Sequence, residues 1–302
     1  MISKSIDKFT GKSINDISTI EQSKKWFNKI LIKLLKILIL AVVSILTAFP
    51  FVWMILSALK TNQEIMNVHI LFPAHPQWSN FTKVIFDSPL LGYIFNSMAV
   101  SLVVVALQII SGAMLAYALV FMNFRGRKSL FAIVMWTYML PVAATYIPSY
   151  IILSKINLLN TLTGLAISST VSIFGIFLLR QSFMQVQKSL VEAAIMDRAS
   201  HFRILWQIIC PVTKSSFITF GLMSFISTYN NYMWPSLITN DASKFLVSQG
   251  LRSFFIDDGA YGTQWALVMA GSALIVIPLL IMFAFTQKWF INGISGTTGM
   301  KD

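Results

Sequence analysis

Long runs of apolar residues, separated by short polar segments, dominate this chain of 302 residues. A helix needs about 20 mainly apolar residues to cross the hydrocarbon core of a bilayer. Six stretches meet that length, and the pattern predicts transmembrane helices at residues 31–57, 93–121, 129–153, 161–183, 205–234 and 264–286. Pro50 lies inside the first helix and is expected to kink it.

The composition supports an all-α membrane protein. Hydrophobic residues make up 56% of the chain and charged residues only 11%, whereas soluble domains carry roughly 25% charged residues. The single cysteine excludes an internal disulfide framework. No carboxylate lies in the middle of a predicted span, which argues against a proton- or sodium-coupled carrier. The three histidines lie in predicted loops, and no cluster of ligands suggests a metal site.

The positive charge, +12 in total, is distributed as topology requires. Eighteen of the 23 Lys and Arg residues fall at the N-terminus and on alternate loops, which predicts that both termini are cytoplasmic. We therefore expect a cytoplasmic tail at residues 1–30, a six-span domain at 31–287 and a second cytoplasmic tail at 288–302. The polar residues 1–28 are expected to be mobile, with one amphipathic turn at most.

One polar, Ala-rich segment stands out between apolar runs: residues 186–204, here called the E-A-A loop. Ser189 and Glu192 have the spacing of a capping box, which predicts a helix starting at Ser189. Ser200 is expected to cap a second helix that leads into the next span. Helical spacing places four residues on one face, where small side chains would let another surface approach: Leu190, Ala193, Ala194 and Asp197.

The E-A-A loop resembles the signature loop of the inner-membrane permeases of ATP-binding-cassette importers. The matching residues are Glu192-Ala193-Ala194, Asp197, Ala199, Ser200 and Pro211. The main departure is Arg198, which stands where the family has Gly.

Other segments in the same order resemble the maltose and multiple-sugar permeases, on the side of the shorter of their two paired subunits. The resemblance covers residues 40–300 and rests on Pro50…Trp53, Ala116-Tyr117-Ala118-Leu119, Phe124-Arg125-Gly126-Arg127 and Tyr229-Asn230-Asn231, where Tyr replaces the family Trp.

The resemblance implies a type I importer permease fold in the bacterial cytoplasmic membrane, with the E-A-A loop as the coupling helix. It implies three kinds of protein partner: a second permease in a heterodimer, two ATPase subunits that carry ATP and magnesium, and an extracellular or periplasmic solute-binding protein. This chain would bind no cofactor and no nucleic acid, and it would contact the lipid bilayer. The residues implied in ATPase coupling are Glu192, Ala193, Ala194, Asp197, Arg198, Ala199 and Ser200.

Several interpretations stay open at this point. Glu192 serves docking, helix capping or both. Arg198 indicates either a turn that differs from the family or a contact with the ATPase. Four polar residues either line a sugar path or form hydrogen bonds between helices: Asn96, Tyr229, Asn230 and Asn231.

The function expected from the resemblance is ATP-driven import of a carbohydrate. The alternative is import of glycerol phosphate or another polar organic solute on the same scaffold. A membrane enzyme or secondary carrier that works alone is disfavoured, because the spans lack acids and metal ligands.

Overall fold

The computed structural model describes residues 3–67, 69–256 and 264–295, with side chains for 26–67, 69–252 and 264–289. Within these ranges the ordered secondary structure is entirely helical, as the composition predicts. The elements in chain order are α1 Ser3–Ala58, α2 Asn62–Met66, α3 Ser79–Phe86, α4 Leu90–Phe121, α5 Arg127–Tyr138, α6 Val142–Lys155, α7 Leu162–Ser168, α8 Ile173–Met184, α9 Lys188–Met196, α10 His201–Ile204, α11 Cys210–Val212, α12 Lys214–Tyr229, α13 Met233–Ile238, α14 Val247–Ile256 and α15 Trp265–Ser295.

The chain divides into two compact units, Met1–Leu56 and Ser57–Asp302. The first unit contains all but the last two residues of α1, a helix that is long and apolar enough from Trp26 onward to span a membrane. The helix begins at Ser3, so it extends far beyond the single amphipathic turn that was expected near Trp26 and Phe27. Lys and polar residues there do not interrupt the helix, because neither Gly-rich nor Pro-containing sequence intervenes before Pro50.

The second unit contains two further unbroken helices that could span a membrane, α4 and the Trp265–Trp289 part of α15. Three helix pairs are each apolar enough to form one broken span: α5 with α6, α7 with α8, and the segment His201–Val212 with α12. These pairs are bent by 100°, 47° and 87° respectively. With each pair counted as one span, the described residues contain six helical segments that are long and apolar enough to cross a membrane, the number that the sequence predicts.

Helix α4 forms the centre of the second unit, since it packs against α7, α8, α12 and α14. At one end of the spans, which we call the loop end, an apolar cluster joins α4, α8 and α12 to the E-A-A loop. Its buried members include Tyr117, Phe183 and Phe220.

At the opposite end, polar side chains fix the chain between α13 and α14 to the rest of the unit. Asn96 donates from Nδ2 to the carbonyl oxygens of Ser243 and Phe245, at 2.9 and 3.2 Å. The Ser97 hydroxyl accepts a hydrogen bond from the Val247 N–H at 2.7 Å. Asn160 adds a third attachment, because its Oδ1 accepts the N–H groups of residues 240 and 241. These hydrogen bonds hold the segment between α13 and α14 against the rest of the second unit, and we call it the braced segment.

Helix α8 approaches α12 closely at Gly175. A methyl group added there would overlap the ring of Phe220, which is only 1% exposed. At Gly221, by contrast, an added methyl group would lie 3.6 Å from Ile109 and Val105, an ordinary van der Waals distance.

We predict that Gly175→Ala lowers the free energy of unfolding by about 1 to 3 kcal/mol, because the buried ring has to move to admit the methyl group. Gly221→Ala is the matched control and should unfold at the wild-type temperature within a degree or two. Thermal unfolding of the purified protein in detergent measures both. Equal melting temperatures for the two variants would contradict the close packing of α8 on α12.

Candidate functional site

The helix of the E-A-A loop, α9, begins one residue earlier than the sequence predicts. Gln187 occupies the N-cap position without a side-chain hydrogen bond, and the helix starts at Lys188. The capping box expected from Ser189 and Glu192 is therefore wrong. Ser189 lies inside the helix, where its hydroxyl is not placed to cap the first turn. Glu192 is exposed, so its carboxylate is available for a contact outside the chain.

One face of α9 is buried against the permease body and the other is exposed. Val191 and Ala194, only 4% and 8% exposed, belong to the apolar cluster at the loop end. This placement corrects the expected free face for Ala194, whereas Ala193 is exposed as expected. The exposed surface combines charged and apolar side chains: Lys188, Leu190, Glu192, Ile195 and Met196.

The helix ends in a Schellman motif centred on Arg198. The N–H of Arg198 bonds to the carbonyl of Ile195 at 2.9 Å, and the N–H of Ala199 reaches back to Ala194 at 3.0 Å. Arg198 has a φ of 60°, in the left-handed region where Gly is usual. The turn therefore has the left-handed geometry that Gly commonly supplies at the end of a helix, although the residue is Arg. Arg198 therefore combines an exposed side chain with a strained backbone conformation.

Ser200 caps the next helical segment as predicted, since its hydroxyl accepts the N–H of Arg203 at 3.3 Å. The segment then widens into a π-helical turn at Leu205–Ile209. Turns of this kind interrupt the regular hydrogen-bond ladder and are frequent at functional sites. After Val212 the chain bends by 87° into α12, so that residues 186–212 form a connected unit at the loop end.

A second polar region lies deeper in the spans, between α4, α8 and α12. A cavity of about 310 Å³ is lined there by Gln108, Ser172, Ser224, Ser227 and Thr228 together with Phe174, Phe220 and Met223. Gln108 Nε2 donates to the carbonyl of Ser169 at 2.7 Å, and its Oε1 accepts the Ser224 hydroxyl at 2.7 Å. Its lining carries hydroxyl, amide and aromatic groups and no charged side chain. We call it the polar cavity.

None of the four residues that the sequence suggested for a sugar path lines the polar cavity. Tyr229 is fully buried and donates to the Ile275 carbonyl at 3.1 Å, which is a hydrogen bond between helices. Asn96 braces the opposite end, and Asn230 bonds within its own helix to the Ile226 carbonyl. Asn231 is half-buried beyond the end of α12. The hydroxyl spacing 224, 227 and 228, one face of a helix, is the signal that sequence reasoning missed.

Beyond these two regions, two carboxylates outside the spans have hydrogen-bond partners within the chain. Hydrogen bonds from the side chain and backbone of Ser243, with a further one from Lys244, lower the pKa of Asp241. Two backbone N–H groups, those of Thr61 and Ala74, lower the pKa of Glu64 in the capping box of α2. In the described part of the chain, no group of three His, Cys, Asp or Glu residues is placed to hold a metal ion.

Comparison with known proteins agrees with this geometry. Residues 108–295, which contain both the polar cavity and the E-A-A loop, match the family described as "Binding-protein-dependent transport system inner membrane component". The chain belongs to this family. It is thus the permease subunit of an ATP-binding-cassette importer rather than an enzyme, as the resemblance in the sequence predicted.

Individual relatives cover nearly the whole permease. It is 32% identical over 257 residues to the sn-glycerol-3-phosphate transport system permease protein UgpE of Yersinia pestis bv. Antiqua, covering 83% of this chain and 91% of the relative. It is 31% identical over 268 residues to UgpE of Brucella abortus, covering 86% and 95%. The permease fold matches a chain from the crystal structure of a bacterial transporter involved in import of the acidic polysaccharide alginate, with a TM-score of 0.76 at 22% identity, covering 86% and 96%.

The strained turn gives a direct test of the loop geometry. We predict that Arg198→Gly raises the free energy of unfolding of the isolated permease by about 0.5 to 1 kcal/mol, because Gly adopts the left-handed conformation without steric cost. Thermal unfolding in detergent measures the gain. Asn157→Gly is the control, since Asn157 has a φ of 56° but Asn tolerates this region better than Arg, so a smaller gain is expected. A lower stability of Arg198→Gly would contradict the assigned turn.

Proposed function

We propose that this permease imports an uncharged, hydroxylated solute of the carbohydrate class, driven by ATP hydrolysis on two separate ATPase subunits. It pairs with a second, related permease and receives its solute from an extracellular binding protein. ATP and magnesium bind the ATPase subunits and not this chain. The lining of the polar cavity supports the proposed class of solute. The exposed face of α9 supports the proposed coupling to an ATPase.

The exposed face of α9 suits docking into a groove on an ATPase. Its apolar members Leu190, Ile195 and Met196 are 41%, 48% and 83% exposed and contribute hydrophobic contact area. Glu192 supplies a carboxylate on the same surface, and Arg198 supplies a guanidinium at its edge. Because Val191 and Ala194 fix the opposite face to the permease body, force applied at the exposed face passes into the spans.

The orientation follows from the charge distribution. The positive-inside rule supports a cytoplasmic loop end and cytoplasmic termini, because 18 of the 23 Lys and Arg residues belong to the N-terminal segment, the C-terminal segment or the alternate loops that include the E-A-A loop. The braced segment between α13 and α14 then faces outward, where a binding protein delivers solute. Residues 296–302, the end of the proposed cytoplasmic tail, lie outside the described residues.

We predict that Glu192→Arg prevents the ATPase subunits from co-purifying with the permease, or abolishes solute-stimulated ATP hydrolysis, because a carboxylate contact becomes a charge clash. Pull-down of the complex from native membranes and an ATPase assay in proteoliposomes measure these effects. Asp87→Arg, a charge reversal at an exposed residue of the opposite end, is the control. Wild-type assembly and stimulation in Glu192→Arg would exclude the docking role.

The polar cavity favours an uncharged solute. Amide and hydroxyl groups next to aromatic faces suit the hydroxyls and apolar ring faces of sugars. A phosphate or carboxylate ion usually needs Arg or Lys nearby, and the cavity wall formed by this chain has neither. The names of the relatives favour the second candidate, sn-glycerol 3-phosphate. In that case the partner permease has to supply the cationic groups.

A solute screen separates the two candidates. We predict that neutral sugars or oligosaccharides stimulate ATP hydrolysis by the complete transporter with its binding protein, and that sn-glycerol 3-phosphate does not. Stimulation by the phosphate ester alone would contradict the carbohydrate proposal and support the second candidate.

Within the cavity, we predict that Ser224→Ala reduces solute transport about threefold to tenfold, the range expected for loss of one hydrogen bond. Ser216→Ala is the control, because Ser216 lies on the same helix and bonds to Ser182 outside the cavity. Transport by reconstituted vesicles measures both variants. Equal transport rates would show that the polar cavity is not on the solute path.

A further inference from the structure

A buried tyrosine of α4 forms a hydrogen bond with His201, the first residue of α10 within the E-A-A loop. The Tyr117 hydroxyl lies 3.0 Å from Nδ1 of His201. Their rings are 5.9 Å apart between centroids and meet edge to face at 63°. Tyr117 is only 3% exposed, whereas His201 is exposed. The pair therefore joins a surface segment to the interior of the permease.

His201 cannot move independently of the turn. Ser200 caps the segment that starts at His201, and Arg198 and Ala199 close the turn through hydrogen bonds to α9. A displacement of α9 therefore carries the imidazole with it. Tyr117 packs in turn against Phe121, at 5.3 Å between ring centroids, and belongs to the same buried cluster as Val191 and Ala194.

The same helix also forms a wall of the polar cavity. Gln108 lies nine residues before Tyr117 on α4, which corresponds to about 14 Å along a helix. Gln108 bonds to the Ser169 carbonyl before α8 and to the Ser224 hydroxyl on α12. A shift of α4 caused at its loop end therefore changes the position of a group that faces the cavity. The line from His201 through Tyr117 to Gln108 consists of one hydrogen bond and one rigid helix.

We propose that Tyr117 and His201 are a pair of positioning residues that transmits movement of the E-A-A loop to α4, and thereby to the polar cavity. The inference rests on the proposed docking of the loop on an ATPase. Apolar packing of Val191 and Ala194 keeps the loop attached without this pair, so loss of the hydrogen bond loosens transmission while the complex still assembles. ATP is then hydrolysed without a matching movement of solute.

The test measures ATP hydrolysed per solute imported by the complete transporter in proteoliposomes. Tyr117→Phe keeps the ring and removes the hydroxyl, and His201→Phe keeps an edge-to-face ring and removes Nδ1. Each variant should raise the ratio at least threefold. The double variant should raise it no further than either single variant, because both remove the same interaction.

Ser97→Ala is the matched control. It removes one buried hydrogen bond from the same helix, α4, but at the opposite end, where Ser97 accepts the Val247 N–H. It should lower the melting temperature and leave the ratio unchanged. An equal rise in Ser97→Ala would show a general effect of loosening α4 and overturn the proposal.

An unchanged ratio in Tyr117→Phe with normal transport would also overturn the proposal, as would additive effects in the double variant. If Tyr117→Phe assembles poorly, His201→Gln provides a second test, because its side-chain oxygen can still accept the Tyr117 hydroxyl. The ratio of ATP hydrolysed to solute imported should then be closer to wild type in His201→Gln than in His201→Phe. Equal ratios in these two variants would contradict the proposal. Failure of the docking proposal gives a different result: Glu192→Arg then behaves as wild type, whatever the Tyr117 and His201 variants do.

Discussion

The attachment of a short helix to the permease body is the interaction on which the functional surface depends. Val191 and Ala194 enter the apolar cluster formed by α4, α8 and α12, and this burial fixes which side of α9 faces outward. Nine residues are too few to hold a helix in water by hydrogen bonds alone, so tertiary packing has to supply the stability. The exposed positions of Glu192 and Met196 are consequences of that packing.

The backbone geometry of the turn after α9 determines how the chain leads from the exposed face of α9 to the next helix. The Schellman motif requires a left-handed residue at position 198, and the chain places Arg there despite the steric cost. Two residues after Arg198, the Ser200 side chain caps α10, so that only residues 197–200 separate the two helices. Since His201 follows directly, the turn also sets the position of the imidazole against Tyr117. The hydrogen bond between His201 and Tyr117 thereby connects a surface loop to the central helix, α4.

The features predicted well from the sequence are those set by local rules. Six spans follow from the length of the apolar runs, and the cap at Ser200 follows from its spacing to the next helix. The free face of α9 was mispredicted, because the side on which the core lies depends on tertiary contacts, including contacts with residues distant in sequence such as Tyr117. The cap at Ser189 was mispredicted by two positions, because the N-cap of α9 is Gln187. The polar cavity combines Gln108 with Ser224, 116 residues apart, and no spacing rule brings such a pair together.

The central claim is that the exposed face of α9 contacts an ATPase subunit of the assembled importer. Cys210 is the only cysteine, so a Cys210→Ala background allows a single Ala193→Cys to carry a photoreactive crosslinker in native membranes. The account predicts a covalent product between this permease and the ATPase from position 193, and none from Ser243→Cys at the opposite end. No ATPase product from position 193, or an equal yield from position 243, would contradict it.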